Sequence, residues 1–308
     1  MISQPESAIR AAGVDVICTG VVHVYPGEDA PIVALRNVEL HARAGEMLAI
    51  IGPSGSGKST LLALLAGLLA PTAGTIHIGE HDMTRLDRAG LARLRATELA
   101  LLLQDPLQNL LPYATALENL TFAQRGARRR GWPLRWTGEQ LIDAFGLGAI
   151  ARRPVHHISG GEQQRVAIAS AMATSPRVLL ADEPTARLDP AGRDAVIDHL
   201  RRAHELTGAT VIIVTHDTAL AGALPRTLGI AHGVVGSERR ADRRYAVAGR
   251  DGSVQLPPEI TARFPPGTVF AVTIEDDIVA LTPERAFHAD PDLGGGEPSG
   301  DRPTEAAG

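Results

Sequence analysis

Apolar residues fall into short blocks along this chain, and the spacing of the blocks predicts the elements. Residues 14–50 alternate apolar runs with turn clusters, which predicts strands. Glu46-Met47-Leu48-Ala49-Ile50-Ile51 reads as a buried strand, followed by a Gly-rich turn. Leu and Ala then recur from about Lys58 to Leu69 as a helix. Thr75 to Ile78 reads as a strand and Ala89 to Thr97 as a short helix. From about Gln104 to Thr174 the pattern is largely helical and more variable. The alternation resumes with a strand at Arg177 to Ala181, a helix at Ala191 to Thr207 and a strand at Thr210 to Val214. Apolar strands separated by helices predict an α/β fold with a largely parallel sheet covered on both faces.

The pattern changes near Ser237. Residues 237–244, "SERRADRR", are charged and read as a linker. Beyond them Asp251-Gly252 reads as a turn, and period-2 alternation predicts strands around Val269 to Ile274 and Ile278 to Leu281. A small β-rich extension is therefore expected over 238–286. Residues 287–308 are rich in Gly, Pro and acid and are expected to be disordered.

Composition narrows the function classes. With 308 residues and 44% hydrophobic content, the chain can bury a sizeable core as one large domain plus a small one. A net charge of −5 gives no general attraction to nucleic acid. Cys18 stands alone, which excludes an intrachain disulfide or a cysteine metal site and fits a reducing, cytoplasmic setting. The first residues lack the basic-then-apolar layout of a secretory signal. The longest strongly apolar run, Leu61 to Ala70, falls far short of the ~20 residues that span a bilayer. Contact with a membrane would go through a partner or the surface.

The turn after the first buried strand carries chemistry. Gly52-Pro53-Ser54-Gly55-Ser56-Gly57-Lys58-Ser59-Thr60 fits G-x-x-x-x-G-K-[ST], with a strand before it and a helix after it. Glycines let the backbone wrap an anion without Cβ clashes, and successive N–H groups form a concave nest for phosphates. Lys58 can reach the β and γ phosphates, and Ser59 can place its hydroxyl on Mg²⁺. A second anion-binding helix start follows at Ser159-Gly160-Gly161-Glu162.

Other residues admit two readings each. Asp182 and Glu183 end a buried strand: Asp182 suits a metal partner and Glu183, placed on the opposite face by strand alternation, a water-polarising base, or the pair caps the next helix. His216 ends another strand and could contact a γ-phosphate, steady Glu183, or be structural. Gln104 could bind Mg²⁺ or the attacking water through its amide, or be an exposed strand end. Tyr25 is the one Phe, Trp or Tyr before Tyr113, and is either the flat partner of an adenine or a core or turn tyrosine.

Taken in order, these residues resemble the ATP-binding-cassette family of transporter ATPases over about residues 14–237. The matching stations are Walker A at Gly52 to Ser59, Q-loop at Gln104, signature at Ser159 to Glu162, Walker B at Val178 to Asp182, catalytic Glu183, D-loop at Ala186 to Asp189 and switch His216. The resemblance implies a P-loop core with an antiparallel β subdomain and a helical subdomain at about 104–174. It further implies ATP and Mg²⁺ as ligands and hydrolysis of ATP. Two cassettes would pair head to tail, with Ser159, Gly160 and Gly161 on the γ-phosphate held by the other copy. A permease subunit would dock on the segment from Gln104 to about Pro154, placing the chain on the inner face of the cell membrane. Ile158 replaces the usual leucine and Glu162 the usual glutamine, and the latter is typical of the lipoprotein-release and macrolide-export branch. Ser170 stands where arginine is common.

The basic segment Arg125 to Trp136 reads either as a solvated loop or as a contact for anionic headgroups. Residues 245–283 resemble the swapped-hairpin fold of AbrB-type modules, some of which bind DNA. Glu259, Glu275, Asp276 and Asp277 offset the nearby arginines, so dimerisation or regulation is favoured over DNA binding, and a plain β accessory is the alternative. The rival to a transport ATPase is accordingly a cassette regulator whose C-terminal module dimerises or binds DNA. Translation-type cassettes carry two nucleotide domains and repair-type ones a long coiled-coil insertion, and this chain shows neither.

Overall fold

A computed structural model describes residues 13–28, 30–186, 188–240, 243–247, 254, 256, 258–264, 268–276 and 278–283. The Asp251-Gly252 turn and the tail at 287–308 lie outside them. In chain order the elements are β1 (Val16–Tyr25), β2 (Ile32–Ala42), β3 (Met47–Ile51), α1 (Lys58–Leu65), β4 (Ala73–Ile78), β5 (His81–Asp82), α2 (Arg88–Thr97) and β6 (Leu99–Leu102). A helical stretch follows with α3 (Ala116–Arg128), α4 (Gly138–Ala144) and α5 (Gly160–Ala171), joined through short 3₁₀ turns such as Pro106–Asn109. Then come β7 (Val178–Asp182), α6 (Pro190–Thr207), β8 (Thr210–Thr215), α7 (Thr218–Gly222), β9 (Arg226–Ala231), β10 (Val234–Arg240) and β11 (Arg243–Ala246).

A seven-stranded sheet runs in the order β11-β10-β9-β3-β8-β7-β6. Its five strands from β9 to β6 are mutually parallel, and β10 and β11 pair antiparallel at one edge. All six residues of β8 are buried, as are the first four of β3 and of β7, which is why these strands read as unbroken apolar runs. A second sheet, β2-β1-β4-β5, is antiparallel. One core cluster joins residues of this second sheet to α1 and to one face of the large sheet. The other joins the opposite face to α3, α4, α5 and α6. Leu61, Leu62, Leu64 and Leu65 bury α1 in the first cluster, so the turn that opens α1 is fixed at its downstream end.

Two sequence expectations are revised. Helix α1 stops at Leu65 rather than Leu69, because Gly67 takes a left-handed φ of 62° and the chain turns. The charged segment 237–244 is no linker: residues 237–240 belong to β10 and 243–244 to β11, with Arg240 paired to Arg243 in register. The charges of Glu238, Arg239 and Arg240 find partners within the fold. Glu238 binds Arg226 at 2.7 Å and also Arg240, and Arg239 donates to the carbonyls of Ala221 and Leu224 at 2.6 and 3.1 Å. The β9–β10 hairpin turns on His232-Gly233, both at positive φ (50° and 79°), the backbone that matches strand twist in a two-residue hairpin.

Contacts divide the chain at Gln255 and Leu256. The second unit holds α8 (Pro258–Arg263) and an antiparallel hairpin of β12 (Phe270–Glu275) and β13 (Ile278–Pro283).

Candidate active site

The C-terminal ends of β3, β8, β7 and β6 lie side by side, and most of the polar candidates follow them. After β3 the chain makes the Gly-rich turn and enters α1 with no side chain capping it. The first-turn N–H groups therefore have no side-chain acceptor, as an anion site requires. Two glycines are obligatory within the fold. A Cβ on Gly52 would collide with the Ile230 carbonyl, and Gly57 has φ 99° with Ala34 O only 2.6 Å from where its Cβ would stand. Lys58 is buried and folds back, donating to the carbonyls of Gly52 at 2.7 Å and Pro53 at 2.9 Å. Ser56 Oγ is buried with no partner among the described residues. Pro53, Ser54, Gly55 and Ser59 are exposed.

Tyr25 ends β1 and places its hydroxyl 3.3 Å from Thr60 Oγ1, with its ring edge-on to His23 at 4.6 Å. It thus stands beside the first turn of α1 and outside the core cluster.

Asp182 ends β7. Its Oδ1 is buried without a partner among the described residues, and burial followed by the charge of Glu183 raises its carboxyl pKa, with Lys58 opposing. Glu183 follows the last residue of β7 and takes a left-handed φ of 45°, outside the strand geometry on which alternation rests. Donors at the end of β8 hold its carboxylate: Thr215 Oγ1 at 3.0 Å, the His216 N–H at 3.2 Å and His216 Nδ1 at 2.9 Å. Neither acid caps a helix; Asp189 does, accepting from the Gly192 N–H at 2.8 Å at the start of α6. Gln104 is exposed two residues beyond β6, the strand that pairs with β7.

The turn at 159–162, the second expected anion site, is built otherwise. Ser159 caps α5 in a reciprocal box with Glu162, whose Oε2 accepts from the Ser159 N–H at 2.8 Å and from its hydroxyl at 2.9 Å. Those bonds, with Arg153 and Arg165 nearby, lower the Glu162 pKa. The Glu162 carboxylate is thus turned onto its own helix start. A Cβ on Gly160 or Gly161 would meet nothing within 4 Å.

Three residues escaped the sequence reading. Thr215 is fully buried and anchors Glu183. Gln164, buried on α5, donates to the Pro184 carbonyl at 3.2 Å and ties the second turn's helix to the Glu183 turn. Asn109 binds the backbone on either side of Gln104. Their partners lie far off in sequence or on the backbone, so no spacing rule marks these contacts.

The family model described as ABC transporter matches residues 35–186. The lipoprotein-releasing system ATP-binding protein LolD of Anaeromyxobacter dehalogenans (strain 2CP-C) is 42% identical over 227 residues, covering 72% of this chain and 94% of the relative. Among solved structures, a dimeric post-hydrolysis state of the cassette MJ0796 bound to ADP and Pi matches with a TM-score of 0.63 and 33% identity, over 74% of this chain and 99% of that one. The cbiO1 subunit of the Clostridium perfringens transporter complex cbiONQ matches with a TM-score of 0.63 and 27% identity, over 73% and 88%.

Proposed function

The chain belongs to the ABC transporter family as an ATP-binding cassette, and from that premise we propose that it hydrolyses ATP in a two-copy assembly to drive a membrane permease. The observation that carries this reading is Glu183, fixed by Thr215 and His216 at the end of β8, the neighbour of the strand that leads into the Gly-rich turn.

The triphosphate lies in the turn 52–57, against the N–H groups at the start of α1. Lys58 exchanges the carbonyls of Gly52 and Pro53 for β and γ oxygens, which offer it full negative charge. Tyr25 stands where it can stack on the base. Asp182 fits a divalent cation: a buried carboxylate oxygen without a partner is costly until a cation arrives. Ser59 and Gln104 would complete the protein's share of that Mg²⁺ site, and the ion would neutralise charge on the phosphates. Glu183 accepts a proton from the attacking water, and His216 holds its carboxylate in place.

The second turn serves the nucleotide of the other copy. Within this chain Gly160 and Gly161 have open space in front of them, so a close approach from outside explains two glycines there better than the chain's own packing does. Ser159 to Gly161 would meet that γ-phosphate, and Asp189 would lie at the seam.

No helix among the described residues is long and apolar enough to cross a membrane. The permease would rest on the helical layer. There a cavity of about 370 Å³, lined by Leu103, Gln108, Asn109, Ala123 and Ser170, adjoins the Gln104 turn. Exposed Leu111, Tyr113 and Phe122 belong to the same layer.

Hydrolysis by wild type, Lys58→Ala and Glu183→Gln tests the reading. Both variants should lose turnover, and Glu183→Gln should keep ATP and accumulate as a dimer in size-exclusion chromatography with light scattering. Robust turnover by Glu183→Gln would overturn it.

A further inference from the structure

We propose that Asn109 is a positioning residue that sets the backbone of the Gln104 turn and, through it, the divalent-cation step of hydrolysis. The inference rests on the ATPase reading above.

β6 ends at Leu102, in register with Ala181, and Asp182 is the next residue of β7. By that register Leu103 stands level with Asp182, and Gln104 follows it off the strand with no ladder of its own to fix it. Asn109 supplies the missing constraint. Its Oδ1 accepts the Leu103 N–H at 2.8 Å, and its Nδ2 donates to the Leu103 carbonyl at 3.0 Å. That reciprocal pair imitates a strand neighbour and extends the order of β6 by one residue. Nδ2 also donates to the Asp105 carbonyl at 3.0 Å, on the far side of Gln104. The oxygen thus faces an N–H and the amide nitrogen faces carbonyls, which fixes the side chain's orientation by chemistry.

The next turn holds Asn109 in return. Asp105 caps the 3₁₀ turn Pro106–Asn109, accepting from the Leu107 N–H at 3.0 Å, and its carbonyl takes the Gln108 N–H at 3.0 Å. Gln104 is exposed and is bracketed by backbone bound to a single side chain. Asn109 is within neither the Gly-rich turn nor the Asp182–Glu183 pair, and its hydrogen bonds fall on the backbone on either side of Gln104, so Gln104 is the site residue it positions.

A double-mutant cycle on the full chain tests this. Asn109→Ala should lower kcat about tenfold through misplacement of Gln104, while ATP affinity without divalent ions stays within about twofold. In a Gln104→Ala background the same substitution should cause no further loss. Two readouts do not need turnover. In Glu183→Gln protein with ATP, Mn²⁺ binding followed by electron paramagnetic resonance should weaken several-fold on adding Asn109→Ala. The Leu103 amide should exchange its hydrogen faster. Asn109→Asp keeps the acceptor and loses both donors, and replaces Asn109→Ala if that variant does not fold. A kcat within twofold of wild type, or an equal loss in both backgrounds, would sink the proposal. Unimpaired turnover by Glu183→Gln would instead sink the ATPase reading, and the exchange and Mn²⁺ results would still judge Asn109.

Discussion

Gly161→Ala separates the fold's need for glycine from the ligand's. Gly161 is the second residue of α5, has no positive φ, and a Cβ built on it meets nothing within 4 Å. Alanine exceeds glycine in helix propensity by about 1 kcal/mol in a helix interior, and less near an end. The isolated chain should therefore be unchanged or more stable, by up to about 1 kcal/mol, which raises Tm by about 2–4 °C in a domain of this size. Turnover should move the other way. If the turn closes on the phosphate of a second copy, the methyl group intrudes on a contact made through backbone N–H groups, and about 1 Å of displacement costs on the order of 10²-fold in rate. The assay is paired: thermal unfolding without nucleotide, and phosphate release at protein concentrations where wild type is active. Adding Gly161→Ala to Glu183→Gln should also abolish the ATP-dependent dimer. Wild-type turnover by a Gly161→Ala protein of normal stability would refute the shared pocket, because it would show that nothing approaches that turn.

The other tests address single groups. Asp182→Asn should abolish Mg²⁺-dependent turnover yet stabilise the nucleotide-free protein at pH 7. The folded carboxyl pKa is raised above 3.8, so the folded state binds the proton more tightly and stability falls as pH rises from about 3.8 through the folded value. The stabilisation should shrink towards pH 4, which urea titrations of both proteins at the two pH values would reveal. Burial, then the charge of Glu39, pushes the Cys18 thiol up to about 12, so a thiol reagent at pH 8 should label it only as fast as the protein opens. Labelling at the rate of a free thiol would contradict that burial. Gly57→Ala should lose at least about 1–3 kcal/mol of stability from its φ alone, read by denaturant unfolding, whereas Gly160→Ala should lose none.

What could be read from the sequence was what is local. The parallel core was legible because β3, β7 and β8 are buried on both faces and so carry runs such as Val211-Ile212-Ile213-Val214. The Gly-rich turn was legible because its chemistry lies within nine consecutive residues. The β10–β11 edge was not, since its charges suggest solvent until Arg226 and the carbonyls around Leu224 are brought next to them. The setting of Glu183 was only partly legible for a related reason. Alternation holds only while the strand lasts, and a one-residue difference in where β7 ends replaces a face of the sheet with a left-handed turn. Thr215 and Asn109 act on partners 32 and 6 residues away, through geometry that no spacing rule encodes.

The two Gly-containing helix starts, at 52–57 and 159–162, differ in how far each is satisfied within the chain. The turn at 52–57 is incomplete within the chain. Its helix has no side-chain cap, its lysine rests on carbonyls, and Ser56 Oγ lacks a partner among the described residues. Such a site gains most when an anion enters, because every group has a poorer partner before than after. The turn at 159–162 is closed on itself: Ser159 and Glu162 satisfy each other, and the carboxylate is held ionised against its own helix start. It needs no ligand to be stable, and it places a negative charge beside the turn proposed to meet phosphate. A phosphate arriving there must therefore bring its own advantage, by binding elsewhere first. On the proposed two-copy reading, that asymmetry would make the first turn the site of capture and the second a clasp that closes only on a nucleotide already held. Glu162→Gln keeps an acceptor for the Ser159 N–H and removes the charge, so it should tighten ATP-dependent dimerisation of Glu183→Gln while leaving monomer ATP affinity unchanged. Equal or weaker dimerisation, measured by light scattering across an ATP titration, would remove the charge from the account.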